Sequence, residues 1–230
     1  MSEIKRAAPV TGHTQVTSLT LSQLPGSGDI QILNYALALE QLEADLYRQA
    51  YARLTNGTNY TDGQPTTSGV GVVIPPLNLP ATNASVQYLG TFAKVEAAHR
   101  DFLTAALTAA AGAASVVKPF LYNFGLETMT ELQVVQLIYA VEGTGVQAYL
   151  GAIPFFSPTS PYLQTAASIQ ATEARHTCAT AIVLNTLGVT PPVETAPLIG
   201  EGLGKAGIDT SIAPNDVLST VVSFGWVYSS

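Results

Sequence analysis

Apolar positions recur at intervals of three and four residues in four separate stretches, and this spacing predicts four long helices. The first runs from Ile30 to about Leu54 behind Asp29 as N-cap, with a stripe of Leu33, Ala36/Leu37, Glu40, Ala44, Tyr47, Tyr51 and Leu54. The second opens at Asn83 or Ser85 and reaches about Ala111. Its stripe is Tyr88/Leu89, Phe92, Glu96, His99, Leu103 and Ala106. The third begins with Thr128-Met-Thr-Glu131, read as a capping box, and carries Val135, Ile138/Tyr139, Glu142, Val146, Tyr149 and Ile153. The fourth starts at Ser160-Pro161, stops at Gly188, and carries Tyr162/Leu163, Ala166, Ile169, Glu173, His176, Thr180, Val183/Leu184 and Leu187.

Each stripe is interrupted at its middle by a carboxylate: Glu40, Glu96, Glu142 and Glu173. An isolated buried charge is very costly, so each needs a compensating partner. In the second and fourth helices a His follows three residues later, in Glu96-Ala-Ala-His99 and Glu173-Ala-Arg-His176. That spacing puts carboxylate and imidazole on one helical face. The chain has ten Glu and three His, so a Glu three residues before any one His has a chance of roughly 4%. Two such pairs by accident are improbable.

The halves also echo each other. Tyr47 lies seven residues after Glu40, and Tyr149 seven after Glu142. The order is Glu, Glu-x-x-His, Glu, Glu-x-x-His over four helices. Two helical hairpins related by a pseudo-twofold axis would bring these six side chains together at the centre of a bundle. Gly143 and Gly145 either weaken the third helix or admit a close neighbour.

Between the helices the pattern breaks. Residues 1–28 are Thr- and Ser-rich and read as an extended N-terminal arm. Residues 55–82 form a long crossover loop full of Gly and Pro, in which Val70-Gly-Val-Val-Ile74 is a short strand or an apolar strap. Residues 112–127 supply the remaining crossover. Residues 189–230 form a C-terminal extension, with Asn215-Asp216 capping a short helix and Trp226 and Tyr228 packing the tail onto the bundle. The division is therefore an arm at 1–28, a bundle at 29–188 and an extension at 189–230.

Composition narrows the partners. Hydrophobic content is 47% and charged content 11%, too apolar for a disordered chain. No run of about eighteen residues lacks polar or charged groups, so no membrane span is expected. The net charge of -7 without a basic patch argues against nucleic acid. Cys178 is the only cysteine, which excludes an intrachain disulfide, and it reads as a small core residue. His13 reads as a solvated residue of the arm. No apolar signal segment is expected in this chain. Three sequons, at Asn56, Asn59 and Asn83, lie in or beside the long loop, and Lys5-Arg6 has the form of a dibasic processing site. They point to an extracellular or cell-surface location.

Four carboxylates and two imidazoles suit two divalent ions of intermediate hardness. Iron or manganese fits, zinc less distinctively, and copper(I) does not. Without metal, four clustered carboxylates cannot all stay ionised. The helix order and ligand order resemble the ferritin-like di-iron and di-manganese carboxylate superfamily over residues 29–188. Within it, the run Leu33-Asn-Tyr-Ala-Leu-Ala-Leu-Glu-Gln-Leu-Glu-Ala-Asp-Leu-Tyr47 and Glu173-Ala-Arg-His176 look like the desiccation-related and stress-response proteins. The resemblance implies an all-α, ferritin-like four-helix bundle. It implies Glu40, Glu96, His99, Glu142, Glu173 and His176 as ligands, with Tyr47 and Tyr149 hydrogen-bonding ligand carboxylates from behind. Glu43 departs from the pattern as a rival carboxylate. It reads either as a supporting group or as an exposed partner of Arg48.

Two functions follow as expectations. One is redox chemistry on dioxygen or hydrogen peroxide: peroxide disproportionation, peroxide reduction or ferroxidase activity. The other is a secreted or surface scaffold, assembling with copies of itself, in which any metal staples the helices. Iron storage would need a closed shell of subunits, and nothing in the arms signals one.

Overall fold

The computed structural model describes residue 7 and residues 9–55, 67–189 and 209–230. Four helices form a bundle: α1 (Asp29–Leu54), α2 (Ala84–Ala111), α3 (Glu131–Ala152) and α4 (Leu163–Thr186). A fifth, α5 (Pro214–Ser223), lies against α3. α1 packs along α2, and α3 along α4. The two hairpins then close through α1 against α3 and α2 against α4. No helix among the described residues is long and apolar enough to cross a membrane.

The helix termini show which caps win. Asp29 is the first helical residue rather than the N-cap; Gly28 takes that place, and the Asp29 carboxylate accepts from the Ser157 backbone N–H at 2.7 Å. Asn83 caps α2 by accepting from Val86 N–H. The capping box of α3 is Thr130 with Gln133, two residues later than the sequence suggested. Thr128 is instead taken up in a 3-10 turn, Leu126–Thr128. α4 starts at Leu163, because Ser160 and Pro161 form a turn ahead of it. It does stop as expected. Gly188 takes a left-handed φ of +81°, and the amides of Gly188 and Val189 donate to the carbonyls of Asn185 and Leu184. These are the two bonds of a Schellman cap.

α1 is buried nearly all round, not along one stripe. Its second face, with Leu39, Leu42, Leu46 and Ala50, is covered by segments outside the bundle. β1 (Leu121–Tyr122) in the crossover pairs antiparallel with β2 (Val227–Tyr228) in the tail. The N-terminal arm joins this patch through Val16 N–H to Val227 O at 2.8 Å and Ser229 N–H to Thr14 O at 2.9 Å. Trp226 is wholly buried, edge-on to Phe124 and stacked on Phe224. Residues 70–74 are a strap and not a strand: Thr67 bridges Val73, while Val70 and Ile74 turn inward. Cys178 is half-buried, in place of the core position expected.

Two large apolar cores, with a small third of Val135, Val183 and Leu184, fill the bundle among the described residues. One gathers Ile32 to Leu39 with Leu103, Leu107 and Tyr149. The other gathers Leu42 to Leu54 with Leu89, Ile138 and Trp226. Glu40 and Glu43 fall at the junction between them, at the level of the polar layer described next.

Candidate metal centre

Six side chains from four helices meet at mid-bundle. Glu40 comes from α1, Glu96 and His99 from α2, Glu142 from α3, and Glu173 and His176 from α4. The four carboxylates are fully buried. Helical spacing explains their convergence: each occupies the inward stripe of its helix, with an apolar residue one turn before it (Leu37, Ala93, Ile138 and Ile169). Their ligand atoms form two groups, Glu40–Glu96–His99–Glu173 and Glu96–Glu142–Glu173–His176. Within each group the atoms lie within 4.8 Å of one another. Glu96 and Glu173 are common to both.

The imidazoles aim their Nδ1 atoms inward. His99 Nδ1 lies 3.0 Å from Glu96 Oε2, 3.3 Å from Glu40 Oε2 and 3.5 Å from Glu173 Oε1. His176 Nδ1 lies 2.6 Å from Glu96 Oε1 and 3.6 Å from Glu142 Oε2. Close as they are, several of these inward atoms make no well-aligned hydrogen bond: Glu40 Oε2, Glu96 Oε1, Glu142 Oε2, both oxygens of Glu173, and His176 Nδ1. Buried polar atoms are normally hydrogen-bonded. Other buried orphans occur singly, at Tyr35 and Trp226 for example, but here six carboxylate oxygens and imidazole nitrogens are gathered in one cluster, which has the chemistry that a cation of intermediate hardness completes.

The tyrosines cross between hairpins. Tyr47 on α1 donates its hydroxyl to Glu142 on α3, and Tyr149 on α3 donates to Glu40 on α1. Each holds one oxygen of a carboxylate from behind and leaves the other facing the cluster. Tyr149→Phe should keep the fold and let Glu40 reorient. We expect metal affinity to drop about 10-fold to 100-fold, the usual effect of losing such a support, with metal titration as the check.

Glu43 is not an exposed partner of Arg48. It is 3% exposed and turns inward, while Arg48 pairs with Asp45 at 2.6 Å and donates to Thr67 O at 3.0 Å. The sequence also passed over Phe92, whose ring stacks on His176 with centroids 4.0 Å apart. Its place one turn before Glu96 on the inward stripe was the available signal. Of the sequon residues, Asn56 and Asn59 fall outside the described residues. Asn83 spends its amide on the α2 cap and on Glu131, to which it donates at 2.9 Å.

Matched by a family model described as a ferritin-like domain, residues 28–186 span all four bundle helices. The chain belongs to the ferritin-like domain family. No curated protein and no solved structure matches it. In this ferritin-like bundle the buried carboxylates and imidazoles can hold metal.

Protonation follows from the crowding. Burial pushes Glu40 up to about 7, against the pull of His99. Burial also raises Glu142, and lifts Glu43 and Glu173 well above the carboxylate range, with neighbouring carboxylates adding to it. Burial would raise Glu96 too, but its contacts with His176 and His99 outweigh that and hold it below its ordinary value. For the histidines burial is likewise overcome. Carboxylate contacts hold His99 at about 10 and His176 at about 9. The metal-free ferritin-like bundle therefore carries more protons than its unfolded chain across neutral pH. The stability from Glu40 is present below 4.5 and lost as pH rises towards about 7. That from the histidines is present below 6.5 and lost towards about 9 and about 10. The melting temperature of metal-free protein should fall between about pH 5 and about pH 9, and bound metal, which displaces those protons, should flatten the fall. Calorimetry across that range with and without metal checks the sign.

Proposed function

We propose that the chain is a dinuclear iron or manganese protein that reacts with dioxygen or hydrogen peroxide. The observation carrying this reading is that six residues make two adjoining four-donor groups with two carboxylates in common. Glu40 and His99 would hold one ion, and Glu142 and His176 the other. Glu96 and Glu173 would be shared by both. Four ionised carboxylates balance two divalent ions, and zinc would also fit the donors. When bound, iron or manganese supplies one-electron steps towards the oxidant.

The chain's own residues do the rest. Tyr47 and Tyr149 orient Glu142 and Glu40. Phe92 covers His176, and the two apolar cores exclude water on either side. The His99 side chain keeps 15% of its surface accessible, against 5% for His176, so approach to the centre is easiest beside His99 on α2. The likeness of residues 33–47 to desiccation-related and stress-response proteins supports a role in oxidative or desiccation stress.

The test is reconstitution with iron and, separately, manganese under argon, followed by addition of hydrogen peroxide or dioxygen. The reading expects oxidant consumption that is lost in His99→Ala. Loaded protein that consumes neither oxidant rules it out. The depth of the four carboxylates favours a second reading, in which metal only staples four helices of a secreted or surface scaffold. That reading expects a large fall in melting temperature with a chelator and no turnover.

A further inference from the structure

In their ligand carboxylates, histidines and tyrosines the two halves of the site are matched, but one pair of positions beside them differs in charge. Glu40 corresponds to Glu142, and Tyr47 to Tyr149. By the same spacing Glu43, three residues after Glu40, corresponds to Gly145, three residues after Glu142. One half has a carboxylate where the other has no side chain. The structure shows why the two go together. A Cβ built on Gly145 would lie 3.1 Å from Glu43 Oε1 and 3.1 Å from Glu173 Oε2. Almost any real side chain at residue 145 would occupy the space these carboxylates share. The missing side chain of α3 makes room for the extra acid of α1, next to a carboxylate common to both four-donor groups.

We propose that Glu43 is a fifth carboxylate of the metal centre, held beside Glu173 by the space at Gly145, and that its charge sets the oxidation state the bound ions favour. This inference rests on the dinuclear reading above. Four carboxylates neutralise two divalent ions; a fifth ionised carboxylate neutralises one further unit of positive charge. A negative charge buried beside the ions stabilises their higher oxidation state, and low-dielectric surroundings strengthen the effect. Glu43 belongs to neither four-donor group, so its role is electrostatic and does not require it to be a ligand. It also makes the two halves unequal, the side chain arising from one hairpin and the space from the other.

Glu43→Gln is the decisive substitution. Burial already drives Glu43 strongly towards its neutral form in the metal-free protein, so a neutral amide of the same shape fits the site. The experiment is an anaerobic spectroelectrochemical titration of the full-length, iron-loaded protein, with metal content measured on the same samples. Asp216→Asn, exposed on α5, is the control for loss of one remote acidic charge. E43Q should retain the wild-type iron content and shift the reduction potential upward by clearly more than D216N. Glu43→Asp, which keeps the charge, should recover most of that shift. Full iron loading with an E43Q potential equal to that of D216N overturns the inference and leaves the dinuclear reading standing. A wild-type chain that takes up no iron removes both.

Discussion

Glu173→Gln should leave the bundle folded and strip it of most of its metal. Glu173 contributes to both four-donor groups, so one substitution weakens both ion positions together. Glu40 contributes to only one. Under matched reconstitution, wild type should hold about two ions per chain, Glu40→Gln about one, and Glu173→Gln well below one. The fold survives because both oxygens of Glu173 lack hydrogen bonds and burial already favours its neutral form. An isosteric amide therefore removes little from the metal-free state. Elemental analysis reports the stoichiometry, and helical circular dichroism reports the fold. Equal metal loss in the two variants would show that the shared position of Glu173 carries no special weight.

Trp226→Ala should be the most destabilising single truncation outside the site. Trp226 is 1% exposed and sits between Phe124 of the crossover and Phe224 at the end of α5. Its backbone carbonyl accepts from Asn123 N–H at 2.9 Å, and β2 begins with the next residue. Truncation leaves a cavity where tail, crossover and α1 meet, at a cost of about 3–5 kcal/mol. For a chain of this size that lowers the melting temperature by roughly 10 °C. Tryptophan fluorescence is lost with the only Trp, so calorimetry is the measurement. A shift of a degree or two would mean that the tail is only lightly attached to the bundle.

The bundle was legible because its signal is local and repeated. Stripes at three and four, each broken by one acid, place Glu40, Glu96, Glu142 and Glu173 without knowledge of any contact. The Glu-x-x-His frame adds both histidines, and the Glu-to-Tyr spacing adds Tyr47 and Tyr149. What escaped depends on contacts between segments distant in sequence. The cap of α1 passed from Asp29 to Gly28 because the Asp29 carboxylate meets Ser157, which no local pattern reveals. The capping box of α3 moved to Thr130 and Gln133 because Leu126–Thr128 turns first. Glu43 was left between two readings because Glu40 lies three residues before it and Arg48 five residues after it on the same helix. Only the three-dimensional structure shows Arg48 held by Asp45 and the space at Gly145 filled from α1. The full burial of α1 was hidden too, since the segments that cover its second face come from the crossover, the arm and the tail.

The proposed role of the polar layer at mid-bundle is to hold a pair of redox-active ions. Elemental analysis of the chain purified from its own source, without added metal or chelator, tests it most directly. The expected result is iron or manganese at about two ions per chain, falling well below one in Glu173→Gln purified in the same way. Wild-type protein that carries neither metal, and takes up neither when reconstituted under argon, would contradict it.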